Sequence, residues 1–256
     1  MELSHMMLGK KAAKFDPRAF QLRDFLELMQ PPAQANWYKH LTSFGMMLNN
    51  TKGCCTIAAV GHAEQVATLN TPTGMETPPD SAILSVYERA CGYVPNDPST
   101  DQGGVIVDVL NWVRQHPLAL GCGKPTLFAY AAPNPGDIIH AKQAIAEFGL
   151  LDIGIQLPIS AQSQVGKVWD VVGNPDTDPD SKPGSWGGHS VIVCAYDENT
   201  VTCITWGQLQ VMTWRFWQKY VDESHALLMD AWMNRFGPIS KVQLAAMQNR
   251  LNALNN

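Results

Sequence analysis

The alternation of apolar and polar positions changes character near the middle of the chain. Residues 55–69, CTIAAVGHAEQVATL, lack proline, hold one glycine and are rich in alanine. That predicts a helix, with Gly53 just ahead of it permitting an unusual entry angle. SAILSVYERACG reads as a second helix stopped by Gly92, and VIVDVLNWVRQHPL as a third ending near Pro117. TPTGMETPPD and VPNDPSTDQGG between them are loops. Further on the pattern turns to strands: GKPTLFAYAAP, then a helix GDIIHAKQAIAEFG ending at Gly149, then the strand LLDIGIQLPI. GNPDTDPDSKPGSWGG is a long loop. HSVIVCAYDENTVTCITWG is the clearest hairpin, two β-branched runs around a polar turn at Asp197–Thr200, and VMTWRFWQKYVDESHALLM returns to strand and short helix. Helices first and a mostly antiparallel sheet afterwards make an α+β chain.

The same pattern divides the chain into an N-terminal extension (1–36), a helical half (37–120), a sheet half (121–236) and a C-terminal helix (237–256). The extension begins with a basic segment and contains a short helix, PRAFQLRDFLELM, ending at Pro31-Pro32. In the tail, Ser240 can cap a helix on which Leu244, Met247, Leu251 and Leu254 share a face. That face packs back on its own domain or forms an oligomer contact.

Composition narrows the function classes. With 256 residues, 45% of them hydrophobic, a sizeable core is available. A net charge of −5 and no basic block disfavour nucleic acid as a partner. No run approaches the roughly 18 apolar residues of a membrane span, and the N-terminus lacks the apolar stretch of a secretory signal. Six cysteines show no zinc spacing, and Cys194 and Cys203 are expected to face each other across the hairpin as reduced thiols. This suits a reducing compartment, hence a cytoplasmic or intracellular location. The run Asp176–Ser181 mimics the start of a calcium loop, but Ser181 and Gly187 stand where glycine and glutamate belong, and Pro179 and Pro183 interrupt it. No metal and no cofactor are expected.

The chemistry centres on NNTKGCCTIAAVGHAEQ, residues 49–65. A cysteine attacks a carbonyl as its thiolate, which a helix N-terminus and a nearby imidazolium both favour. Cys55 stands where the helix begins; Cys54 lies just before it and points elsewhere. The alternative is a pair of ordinary buried thiols on an alanine-rich helix. Among seven histidines, His189 stands out: it opens a strongly patterned strand, and Gly187 and Gly188 ahead of it leave room for a substrate backbone. His62 shares a helix face with Cys55 but lies about 10 Å along the axis, too far for a hydrogen bond. It reads as a packing residue.

These residues sit in an ordered set of segments that resembles the papain-like cysteine peptidases. PPAQANWYKHLTSFGMMLNNTKGCCTIAAV is similar to their mature N-terminus, with Trp37 standing 18 residues before Cys55. DQGGVIVDVLNWVRQHPL resembles an acidic-Gly-then-helix segment, and HAKQAIAEFGLLDIGIQLP a helix–strand unit. GGHSVIVCAYDENTVTCITWGQ resembles the histidine strand and the strand ending in Asn-Ser-Trp-Gly. The match runs from about residue 31 to 229 and looks closest to uncharacterised bacterial or phage C1-like or C39-like proteins, which implies a phage-encoded or virion-associated setting as an option.

The resemblance implies a papain-like fold with a cleft between its halves and a peptide or protein substrate. It makes Cys55 the nucleophile, His189 the general base and acid, Asn49 an oxyanion donor (Asn50 could compensate) and Trp206 the shield of the pair, with Gly53, Gly187 and Gly188 beside the substrate. It also exposes departures. Ile204 stands where the family's orienting Asn belongs. Thr205 could accept from the imidazole, but strand alternation would turn it to the opposite face unless the shorter hairpin shifts the register. Thr56 follows Cys55 in place of Trp, and Lys52 replaces a half-cystine. A papain-like scaffold with little turnover, used for binding or assembly, is the competing expectation.

Overall fold

The structure is a computed structural model and describes residues 2–14, 30–39, 41–72, 74–116, 119–120 and 127–233. The helix expected at 17–29, the C-terminal helix and Cys122 lie outside the described residues. In chain order the elements are β1 (Ala35–Asn36), α1 (Cys55–Leu69), α2 (Asp80–Cys91), α3 (Ile106–Gln115), β2 (Leu127–Ala131), α4 (Ile138–Phe148), β3 (Leu151–Leu157), β4 (Val168–Trp169), β5 (Gly187–Tyr196), β6 (Thr200–Thr205), β7 (Gln208–Thr213), α5 (Trp214–Tyr220), β8 (Val221–Met229) and α6 (Asp230–Met233).

Helix α1 is buried from Cys55 to Thr68. Even its polar members His62, Glu64, Gln65 and Thr68 are buried, so it keeps no solvent face and is the central helix of its half. Glycines with positive φ end α2 at Gly92 (77°) and α4 at Gly149 (77°), a conformation that costs glycine no Cβ clash. Thr213 and Asp137 cap α5 and α4 by accepting from the backbone N–H groups of Phe216 and His140.

The sheet runs β2-β8-β3-β5-β6-β7-β4, with β1 added to β5. All pairings are antiparallel except β4 with β7. Strand alternation sends side chains into two apolar cores, one on each face. Ile192, Cys194, Ile204 and Leu227 join α1, α2 and α3, whereas Val191, Val193, Cys203 and Leu228 join α4 and α5. Cys194 and Cys203 therefore do not face each other: Cys203 pairs with Val193, and a register shift between Val193 and Ala195 sets Cys194 toward the other core. Both are free thiols.

The β6–β7 hairpin closes in two residues, Trp206 (φ 45°) and Gly207 (φ 73°), with Thr205 paired to Gln208. Turns of this kind match the strand twist but require left-handed backbone at both central positions. Trp206 is the bulky residue that accepts it, held by Trp186 and Trp169 at centroid distances of 5.6 and 6.2 Å.

Candidate active site

Cys55 is the first residue of α1, and Cys54 precedes it without a side-chain cap. No acidic residue occupies the first turn, so the positive end of the helix dipole is left to the thiol. The backbone N–H groups of Ser190 and Gly9 also face Cys55 and favour its thiolate, but burial outweighs them and pushes the thiol up to about 12. Cys54 turns its sulfur to the Met47 carbonyl and is likewise raised, first by burial.

His189 lies on β5 opposite Ile155 of β3. Its ring stacks on Trp206 at 4.5 Å and 14°. Its Nε2 is 2.6 Å from Thr205 Oγ1, and its buried Nδ1 has no hydrogen-bond partner among the described residues. When Nε2–H donates to the threonine, Nδ1 is the basic nitrogen. Burial, and then the field of His62, push the imidazole down to about 3. No hydrogen bond joins the Cys55 thiol to the imidazole, and burial keeps both groups uncharged at neutral pH.

Ile204 is fully buried in the helix-side core, and alternation indeed sends Thr205 the other way. The imidazole, however, is on the Thr205 side. The expectation that alternation would turn Thr205 away from His189 is thus corrected by which face the ring occupies. His62 is buried, with its Nδ1 2.9 Å from Gln65 Oε1, and it touches the site only through its field on His189. Trp37 packs edge-on against Trp232 at 4.9 Å, and its indole N–H donates to the Ile145 carbonyl.

Residues 6–11 run through the space between these walls. Met7 N–H donates to the Asn49 carbonyl, while the Met7 carbonyl accepts from Asn49 Nδ2 (3.1 Å) and from Trp206 Nε1 (3.2 Å). Asn49 Nδ2 also donates to the Lys52 carbonyl. Lys10 N–H donates to the Gly188 carbonyl, Gly104 N–H to the Gly9 carbonyl, and Lys11 N–H to the Gly104 carbonyl. One extended segment is thus tied to the sheet wall and to the helical wall at once. It presents the Gly9 N–H to the Cys55 sulfur.

Glycine makes the approach achievable. A Cβ on Gly9 would lie 1.8 Å from the Gly53 carbonyl oxygen, and one on Gly188 would lie 2.3 Å from the Lys10 carbonyl oxygen. Sequence reading anticipated room at Gly53, Gly187 and Gly188 but not the occupant, because nothing in residues 6–11 shows periodicity or a motif. Gly9 and Lys10 were the missed residues.

The Lys10 side chain is fully buried, with Nζ 2.9 Å from both Asp222 Oδ2 and Glu223 Oε1. Asp152 lies beneath, buried and bonded to Ser190 Oγ at 2.8 Å; burial raises its carboxyl well above the ordinary range. Burial also works to raise Glu223, but bonds from His225 and Lys10 outweigh it and leave it lowered. Among the described residues no group of His, Cys, Asp and Glu could hold a metal ion, and no helix is long and apolar enough to cross a membrane.

No protein-family model matches the chain, and no curated protein matches it. Solved structures do. Xylellain, a cysteine protease from Xylella fastidiosa, superposes with a TM-score of 0.61 at 16% identity, covering 87% of this chain and 96% of that one. Digestive procathepsin L 3 of the Tenebrio molitor larval midgut gives 0.56 at 10% identity over 88% and 77%. The bromelain protease of Ananas comosus, in complex with the E64 inhibitor, gives 0.52 at 13% identity over 78% and 100%. A mixed α+β architecture with a helical part, a sheet and these structural neighbours is the papain-like fold.

Proposed function

We propose that the chain is a cysteine peptidase, or a related amidase or acyltransferase, with its cleft closed by its own residues 6–11. The observation that carries this reading is that an extended peptide already lies across Cys55, bonded through its backbone to Gly188 on one side and Gly104 on the other. A cleft that binds backbone in this way accepts peptides of varied sequence.

In the reaction Cys55 gives its proton to His189 Nδ1 and attacks the carbonyl carbon. Asn49 Nδ2, relieved of Met7, donates to the developing oxyanion. His189 then protonates the leaving amine, and water, activated by the same imidazole, releases the acyl group. Thr205 holds the ring from Nε2 as Trp206 covers it. Residues 6–11 must leave first, since they fill the site and keep it dry.

The competing reading is a papain-like scaffold without turnover, and the uncharged, fully buried Cys55 and His189 favour it. The two are separated by an epoxide inhibitor of cysteine peptidases and a fluorogenic peptide library, each applied to the chain opened by Gly9→Val, whose added side chain would collide with the Gly53 carbonyl, and to the same chain carrying Cys55→Ala. Covalent labelling at Cys55 well ahead of Cys54 near neutral pH, with turnover lost in Cys55→Ala, supports the peptidase. Equal and slow labelling of every thiol, with no turnover, supports the scaffold.

A further inference from the structure

The pocket that holds the Lys10 side chain is built independently of its occupant. Gln156 Nε2 donates to Asp222 Oδ2 at 2.6 Å, and His225 Nε2 lies 3.2 Å from Glu223 Oε2, so each carboxylate is fixed by a neighbour other than Lys10. The buried Asp152 keeps one carboxyl oxygen, Oδ2, without a partner. The pocket is shaped for a slim aliphatic stem: a Cβ on Gly154 would lie 2.0 Å from Lys10 Cε. Gly154 pairs with Ser190 across β3–β5 and with Glu223 across β3–β8, which sets the pocket beside Ser190, whose backbone N–H faces Cys55. When residues 6–11 leave, Asp222, whose side chain is 29% exposed, and the more buried Glu223 lose the cation between them.

We propose that this pocket selects the substrate: it takes a lysine or arginine side chain of a peptide lying in the cleft that residues 6–11 vacate. The proposal rests on the peptidase reading for its turnover but not for its affinity. An ammonium or guanidinium restores the pairing that Lys10 supplied. A leucine or norleucine side chain fills the same stem space and leaves the two carboxylates without a cation between them. Arginine adds a planar fork that can meet both carboxylates.

The test uses the full chain carrying Gly9→Val, in which the added side chain collides with the Gly53 carbonyl and prevents residues 6–11 from seating. Lys10→Glu, which sets a third carboxylate against Asp222 and Glu223 and so expels residues 6–11, is the second variant should the first fail to fold. Acylated tetrapeptides with a C-terminal coumarin are compared with lysine, arginine, norleucine, leucine or glutamate at each position in turn. At one position lysine and arginine should exceed norleucine at least tenfold in kcat/KM, and Asp222→Asn with Glu223→Gln should erase that gap. Norleucine or leucine equal to lysine at every position overturns the proposal and leaves the peptidase standing. If no peptide is turned over, the peptidase reading fails, and fluorescence anisotropy decides the pocket. A labelled peptide Ser-His-Met-Met-Leu-Gly-Lys-Lys-Ala-Ala should bind the same variant at least tenfold more tightly than its form with norleucine for the first lysine. Equal affinities overturn the proposal.

Discussion

The Nε2 of His189 lies 2.6 Å from Thr205 Oγ1, and the ring is stacked on Trp206. A hydroxyl here can do what an amide carbonyl would do: accept a hydrogen bond from Nε2–H and keep Nδ1 as the base. Thr205 belongs to the last pair of β6 and β7 before their two-residue turn, which fixes its backbone.

Thr205→Ala should therefore lower kcat with little change in KM, by roughly tenfold, the factor that about 1.4 kcal/mol of lost orienting bond produces. Thr205→Ser should recover most of the loss. Steady-state kinetics of the three proteins check this. An equal fall for serine and alanine would show that the methyl group, and not the hydroxyl, matters.

Ile204→Asn tests the same geometry from the other side. Ile204 packs in the helix-side core and is fully hidden from water. An asparagine there would bury an amide without a partner and remove an apolar side chain, at a cost of about 2–5 kcal/mol. The melting temperature should fall by several degrees, and turnover should not rise. A gain in kcat would mean that the strand can shift its register.

Alkylation reports the state of the cleft. With the thiol pushed up to about 12 and covered by Gly9, iodoacetamide should modify Cys55 slowly at pH 7.5 in the wild type. Gly9→Ala, whose Cβ would meet the Gly53 carbonyl, should speed modification of Cys55 at least tenfold and leave Cys54 slow. Peptide mapping by mass spectrometry distinguishes the two sites.

Stability should fall on acidification through the histidines. Burial moves His62 from the ordinary 6.5 to about 4, and His189 to about 3. Between those values and 6.5 the unfolded chain binds protons that the folded chain refuses, so stability rises with pH across the window. Their contribution is complete above 6.5 and is lost as the pH falls toward 4 and then 3. Every tenfold weakening of a ring's hold on its proton corresponds to about 1.4 kcal/mol, so the two rings together remove several kcal/mol as the pH falls across the window. Urea midpoints between pH 7.5 and 4.5 should show a shallower decline in His62→Gln than in the wild type. Parallel curves would remove His62 from the account.

Legibility differed by the range of the interaction. Helix α1 and the β5–β6 hairpin could be read locally, because composition, stop glycines and β-branched runs act over a few residues. Cys55 and His189 could be singled out by the elements they begin. Thr205 was ambiguous because its role depends on which face His189 occupies, a matter of pairing with β3 and β6 together. Lys10 was unreadable: one lysine among the charged residues of a basic N-terminus gives no sign that it will be buried against Asp222 and Glu223, more than two hundred residues away.

The bond from the Trp206 indole to the Met7 carbonyl makes the cleft its own optical reporter. Trp206 is 2% exposed and sits between Trp169 and Trp186. Departure of residues 6–11 removes its acceptor and admits water to the ring, so the emission maximum should move to longer wavelength as the cleft opens. The rate of that opening can then be followed in unlabelled protein by stopped flow, before any bond in a substrate is broken.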